Sequence, residues 1–378
     1  CSDGSEEATS TSTSPSINST DGSAPTVITK GDPRAEEIVG LVREAVPELH
    51  LQSVVFGVWE GDTEIVRAAV DGPGSMPPTS PDAVVRVGQP IEAMLGTVLL
   101  QLVEEGVLGL DDPVGEYLPE LVNGYAITPR MLANTTSGTP EFLDNADFLK
   151  VVYADPFAEW TGAELLAAAQ ESPPLFEPGQ GWAYSHTDIT LLGEVLEAAT
   201  GQTVAELLAS RVFEPLGMTH SAVFTTNEIG TPTFHAYSNE RGVYEETTFW
   251  NPTWALNSGN LNATVEDLGR WSRALNRGEL LDDESFDLMM AANTAGLGPM
   301  TEAQYFSFGM LVVDDWIVGN PSLQGYQGFT GQLRDPEVTI VVYSTGSVTN
   351  TGEGNASITI GTRISELMAP DEPLVMPS

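Results

Sequence analysis

The sequence predicts an α+β fold, an antiparallel sheet flanked by helices with a mainly helical block between the chain ends that form it. Two observations carry this reading. Extended, apolar-rich segments cluster near both ends of the chain, and the block between them places apolar residues at helical spacing. The two ends therefore share one sheet. In chain order, residues 35–46 have the apolar period of a helix, and 51–59 and 64–70 read as strands joined by the turn Glu60-Gly61-Asp62. After the strand end Arg86-Val87-Gly88, residues 90–105 form an apolar-rich helix. Pro90 opens it, where a missing N–H costs nothing, and Gly106 stops it. Helices follow at 162–170, 187–200, 204–212 and 265–276, the last after Asn262-Ala263-Thr264. Strands are expected at 305–313, 326–330, 339–344 and 356–360, and a closing helix at 362–368. This divides the chain into a tether (1–33), a folded domain (34–370) and a tail (371–378). Within the domain, 34–88 and 275–370 carry the strands and 89–274 is mainly helical.

The chain has 378 residues, with 14 Lys plus Arg against 54 Asp plus Glu, and a formal net charge of −40. At 41% hydrophobic it can bury a sizeable core. So negative a chain repels phosphate backbones and anionic lipid surfaces, which excludes nucleic-acid binding and a basic membrane-docking patch. The longest apolar stretch, 93–103, is broken by Gly96, Thr97 and Gln101. It falls short of the roughly 18 residues of a membrane span. One cysteine permits neither an internal disulfide nor a Cys-based zinc site, and no metal or other cofactor is expected. Residues 2–33 are rich in Ser, Thr, Gly, Pro and Asp and bury too little to offset their ordering entropy. Cys1 ahead of this polar segment resembles the mature end of a bacterial lipoprotein. The resemblance implies acylation of Cys1 and a position on the extracytoplasmic face of a bacterial membrane, periplasmic or cell-surface.

Four longer strings resemble the serine β-lactamase and D-alanyl-D-alanine carboxypeptidase superfamily, in its class C-like branch, which includes esterases. They are LLQLVEEGVLGLDDPVGEYLP (99–119), ITPRMLANTTSGTP (127–140), LFEPGQGWAYSHTDITLLGEVLEAATGQTVAELLASRVFEPLGM (175–218) and GNLNATVEDLGRWSRALNRGELL (259–281). The resemblance implies a class C β-lactamase/penicillin-binding-protein-like fold, in which 34–88 and 275–370 build an α/β lobe and 89–274 a helical lobe, with the active cleft between the two lobes.

That family works with three motifs. A Ser-x-x-Lys sets nucleophile and base one helical turn apart. A Tyr-x-Asn faces it, and a Lys/His-Thr/Ser-Gly on a strand supplies positive charge. In the first place this chain reads Gln89-Pro90-Ile91-Glu92, with Gln89 for the serine and Glu92 for the lysine. The only lysines, Lys30 and Lys150, are preceded at i−3 by Val27 and Asp147, so no Ser-x-x-Lys exists anywhere. The second motif is Tyr184-Ser185-His186, which keeps the tyrosine and exchanges the asparagine for His186. For the third, WIVGNPSLQGYQG (316–328) aligns with the family pattern and places the motif at Gly319-Asn320-Pro321. Phe329-Thr330-Gly331 then belongs to the next strand. Under either register the cation is absent, and Pro321 removes a strand N–H.

A Gln amide is not a nucleophile. A carboxylate at 92 raises the pKa of a neighbouring tyrosine where an ammonium lowers it, which makes Tyr184 a weaker base. The leading expectation is a catalytically degenerate member of the family, a pseudoenzyme with no catalytic residue. Gln89, Glu92, Tyr184, His186, Gly319, Asn320 and Pro321 are its vestigial positions. It would act as a binding or scaffolding lipoprotein for an envelope or membrane protein, with room for a cell-wall-type ligand in the old cleft. A second reading is a hydrolase with replaced chemistry, in which Glu92, Tyr184 and His186, joined by Asp188, converge for acid–base work. Favoured over that chemistry is a buried Glu92–His186 ion pair that merely fills the vacated site. A third reading uses another serine, Ser137 or Ser185, although no Gly-x-Ser-x-Gly nucleophile elbow occurs. His50, His220 and His235 read as exposed polar side chains.

Overall fold

In the computed structural model, which describes residues 26–75, 77–350 and 354–376, the two ends of the chain meet in one antiparallel sheet. Across the sheet the strands run Thr26–Ile28, Thr63–Asp71, Leu51–Glu60, Val338–Gly346, Tyr326–Leu333, Trp316–Gly319, Met310–Val313 and Gln304–Ser307. Leu51–Glu60 and Val338–Gly346 lie side by side, Val341 opposite Gly57 and Val338 opposite Glu60. That pairing closes the domain with residues almost 300 positions apart.

Both faces of the sheet are covered, which explains why its central strands read as nearly continuous apolar runs. The helices Arg34–Glu48 and Ala356–Met368 pack on one face, burying Ile38, Val42, Ile360 and Ile364 with Phe56 and Phe329. On the other face lies the larger core, built on Pro90–Glu104 and Val265–Arg277 and continuous with the helical lobe. The helix Pro90–Glu104 is apolar almost all round and is buried accordingly. Among the described residues no helix is long and apolar enough to cross a membrane.

Four expectations need correction. The expected strand at 305–313 is a hairpin, Gln304–Ser307 and Met310–Val313. Phe308 and Gly309 both have positive φ (44° and 82°), as a two-residue hairpin turn requires. A Cβ on Gly309 would stand 2.3 Å from the Glu92 carbonyl carbon, so the turn presses directly on the site helix. The expected strand at 356–360 and helix at 362–368 are a single helix, Ala356–Met368. Its Ser-Ile-Thr-Ile alternation imitates a strand, but Ile360, Ile364 and Met368 recur every four residues on one buried face, and the Asn355 side chain caps its first turn. The helix 204–212 ends at Leu208 and continues as a π-helical turn, Ala209–Phe213. Finally, the domain limits shift. Thr26–Ile28, assigned to the tether, forms the edge strand, and Leu374 of the supposed tail is buried in the core while the Trp316 indole donates to the Glu372 carbonyl. The lobe boundary at 275 falls inside Val265–Arg277, which belongs with the sheet. Cys1 and residues 2–25 lie outside the described residues.

Candidate functional site

A cleft of about 400 Å³ opens where the helix Pro90–Glu104, the turn before the helix His186–Thr200 and the end of the strand Trp316–Gly319 meet. It is lined in part by Gln89, Tyr184, His186, Asn320 and Pro321, so residues from all three motif positions converge on one place. Gln89 sits just ahead of the helix, after Gly88 in a left-handed conformation (φ 71°). Its side-chain Oε1 accepts the Asn320 backbone N–H at 2.9 Å, which ties the first motif position to the third. The Asn355 amide donates to the carbonyls of Asn320, Pro321 and Gly328 at 3.3, 3.0 and 2.9 Å and fixes the strand end that carries them. Phe329, on the neighbouring strand, points into the opposite core.

Three residues into the helix, the Glu92 side chain is fully buried. The Tyr184 hydroxyl donates to its Oε1 at 2.5 Å, and its Oε2 has no hydrogen-bond partner among the described residues. Burial pushes the Glu92 carboxyl up to about 8, against the opposing pull of His186 and the tyrosine hydroxyl. Burial also raises Tyr184 well above the ordinary phenol value, and the charge of Glu92 adds to the rise.

The expected Glu92–His186 ion pair is not formed. His186 meets Glu141 instead, Nδ1 to Oε2 at 3.5 Å, while the His186 backbone N–H donates to the same oxygen at 2.5 Å. The reason is local: Glu141 sits at the N-terminus of His186–Thr200, where free N–H groups and the helix dipole attract a carboxylate. Burial opposes a charged imidazole, but Glu141, helped by the charge of Glu92, outweighs it and holds His186 above its usual pKa. The ring also packs edge-on against Tyr184, with centroids 4.9 Å apart.

The alternative serines are occupied structurally. The Ser137 hydroxyl donates to the Asp188 carboxylate and accepts the Thr139 N–H. Asp188 is buried and held well above the carboxylate range by that burial, despite the bonds from Ser137. Ser185 caps its helix by accepting the Asp188 N–H at 3.1 Å. Of the two lysines, neither lines the cleft, and Lys150 pairs with Asp147 at 2.6 Å on an exposed surface. Among the described residues no group of acidic, His or Cys side chains is arranged to hold a metal ion.

Sequence reasoning missed Glu141, Trp182, Trp254 and Ser258. Glu141 had a signal: a carboxylate directly after the turn Gly138-Thr139-Pro140. The last three had none, since only the fold brings them to the cleft.

A profile of the Beta-lactamase family matches residues 38–360. The chain is 25% identical over 215 residues to the putative penicillin-binding protein PbpX of Bacillus subtilis, covering 56% of this chain and 52% of that protein. It is 30% identical over 171 residues to the lovastatin esterase of Penicillium rubens, covering 40% and 42%. The chain spans about half the length of the curated relatives it matches. In structure it is similar to a D-stereospecific amidohydrolase from Streptomyces sp., with a TM-score of 0.75, 25% identity, and coverage of 86% of this chain and 98% of the other. The cleft between sheet and helical lobe, the three motif positions gathered around it and a family match over most of the chain agree: this protein belongs to the β-lactamase family.

Proposed function

We propose that this protein is a non-hydrolytic member of the family that uses its cleft for binding, as a binding or scaffolding protein on the outer face of a bacterial membrane. The observation that carries the reading is the Gln89 amide. It stands at the nucleophile's place at the start of the helix and is tied by its own oxygen to the Asn320 N–H across the cleft. A carboxyl group bonded to Tyr184 replaces the lysine, and among the described residues no lysine or arginine lines the cleft. Losing single members of a cooperative catalytic set costs on the order of 10⁴–10⁶ in rate. Here nucleophile, base and cation are absent together. Relatives named as an esterase, amidohydrolase or penicillin-binding protein carry those activities in their own names. The strongly acidic surface favours basic partners, in keeping with an envelope or membrane protein.

The test is turnover of a chromogenic cephalosporin, p-nitrophenyl acetate and D-phenylalanine amide by the purified protein. Rates equal to the buffer blank are expected. A rate that His186→Ala abolishes would instead establish acid–base chemistry by the Glu141–His186 pair. Membrane attachment through Cys1 rests on the sequence alone. Cys1→Ser is expected to move the protein from the membrane fraction to the soluble one, and unchanged sedimentation with membranes refutes acylation.

A further inference from the structure

A second cavity, of about 110 Å³, shares only Ser322 of its lining with the cleft. It lies where the hairpin of Tyr237–Ser238 and Glu245–Glu246 meets the end of the strand Val338–Gly346. Two half-buried tyrosines, Tyr237 and Tyr244, line it and stack nearly parallel, with ring centroids 5.5 Å apart and 14° between the planes. Both are pinned to that strand end. The Tyr237 backbone N–H donates to the Thr345 hydroxyl at 2.8 Å, and the Tyr244 hydroxyl donates to the Gly346 carbonyl at 3.0 Å. The stack is therefore set before anything binds, which lowers the ordering cost of binding. The rest of the wall is polar. The Asn239 side-chain nitrogen is engaged with the Asn350 carbonyl at 3.1 Å, which leaves the amide oxygen as an acceptor. Glu240 takes the Tyr153 hydroxyl on Oε2 at 3.0 Å and keeps its other oxygen. Ser322 adds an exposed hydroxyl that donates or accepts. Among the described residues no lysine or arginine lines the cavity, and nearby Arg241 is held over the Trp250 ring and beside Glu245.

We propose that this second cavity binds one ring of a neutral pyranose saccharide. A pyranose has a face of C–H groups, and those weakly positive hydrogens meet the negative face of a tyrosine ring, so the sugar extends the stack. Around its edge the sugar carries hydroxyls, each both donor and acceptor, which suit the Ser322 hydroxyl and the oxygens of Asn239 and Glu240. The volume lies well below that of a site for a drug-sized molecule, so a single ring enters and the rest of an oligosaccharide stays outside. A sugar acid would bring its carboxylate towards Glu240 with no cation to offset it. A purely aromatic ligand would stack and leave the polar wall unpaired, at a cost. The inference goes beyond the role proposed for the cleft, and it holds whether or not the cleft hydrolyses anything.

Saturation-transfer NMR on the intact protein at pH 7.5 tests it with cellobiose and N,N′-diacetylchitobiose, against D-glucuronate and the blocked peptide acetyl-Gly-Ser-Gly-amide. The neutral disaccharides are expected to show transfer at least fivefold above the other two, strongest on the C–H protons of one ring face. Tyr244→Leu, which keeps apolar bulk and removes the flat ring, is expected to weaken that transfer about threefold or more. Asn239→Ala changes an exposed side chain and is expected to weaken it about twofold, which covers the case in which the tyrosine variant misfolds. No transfer to either disaccharide, equal transfer to the glucuronate or to the peptide, or indifference to both substitutions overturns the proposal. The non-hydrolytic reading of the cleft is untouched by each of these outcomes, since it fails only on turnover.

Discussion

The double variant Gln89→Ser, Glu92→Lys takes up a fluorescent penicillin or a fluorophosphonate covalently, while the native protein and Gln89→Ser alone stay blank. The geometry favours this result. Position 89 opens the helix and lines the cleft, and position 92 lies one turn on, with its side chain already within hydrogen-bond reach of the Tyr184 hydroxyl. A lysine there replaces a group that raises the tyrosine's pKa with one that lowers it, and it gives the new serine a base. Removing the Gln89 amide also frees the Asn320 N–H it now occupies. Labelling is expected to be slow beside an active relative, because His186 and the cation-free Gly319-Asn320-Pro321 remain. The measurement is in-gel fluorescence followed by mapping of the modified peptide, with a thermal melt to show that both variants fold. Native protein that labels as fast as the double variant would sink the non-hydrolytic reading, and the mapped residue would name the nucleophile.

How much of this was legible in the sequence depends on how local the signal is. The strand pair 51–71, the helix opened by Pro90 and the helix after Thr264 announce themselves through apolar period, turn residues and caps. The segment 356–368 did not, because alternating Ser-Ile-Thr-Ile satisfies a strand's period as well as a helix's. Packing against Phe329 decides the matter: a Cβ at Gly361 would come within 2.2 Å of that ring, so the helix rests its bare backbone on the sheet. In the same way, Phe308-Gly309 looked like the middle of a strand because a phenylalanine rarely takes positive φ. At the site, ordered motifs identified the positions, since each lies within a contiguous string. The partner of His186 was not legible. Glu92 and Glu141 are equally plausible carboxylates in one dimension, and only the placement of Glu141 at the helix N-terminus selects it. Ser258, Trp182 and Trp254 reach the cleft wall through the fold alone, since no local pattern marks them in the sequence.

Glu92 makes the fold pH-sensitive in a direction opposite to that of an ordinary salt-bridged carboxylate. Its pKa is about 8 in the folded protein against 4.5 for the free side chain. Between those values the native state keeps a proton that the unfolded chain releases. Stability therefore falls as pH rises through the window, by up to about 1.4 kcal/mol per pH unit. The groups facing the carboxyl do not cancel the effect. Tyr184 is held neutral by burial and His186 is engaged with Glu141, while the Oε2 atom has no donor among the described residues to stabilise its charge. Glu92→Gln mimics the protonated form, keeping an acceptor for the Tyr184 hydroxyl at no charge. The variant is expected to melt close to the native protein at pH 5 and to exceed it by about 5 °C or more at pH 9, where the native carboxylate is ionised in an apolar enclosure. Asp188, whose shift comes from burial and from Ser137 and Glu141, is common to the two proteins, whereas His186 loses the pull of the Glu92 charge in the variant, so the same pair compared in a His186→Gln background separates position 92 from the histidine. Parallel profiles from pH 5 to 9 would mean that Glu92 ionises with ordinary ease, and that water or movement of the Gly309 turn reaches an atom the structure encloses. A widening gap, in contrast, identifies a carboxylic acid kept neutral at physiological pH. In that state the site presents the cleft with an uncharged hydrogen-bonded pair where the family's lysine would have placed a cation.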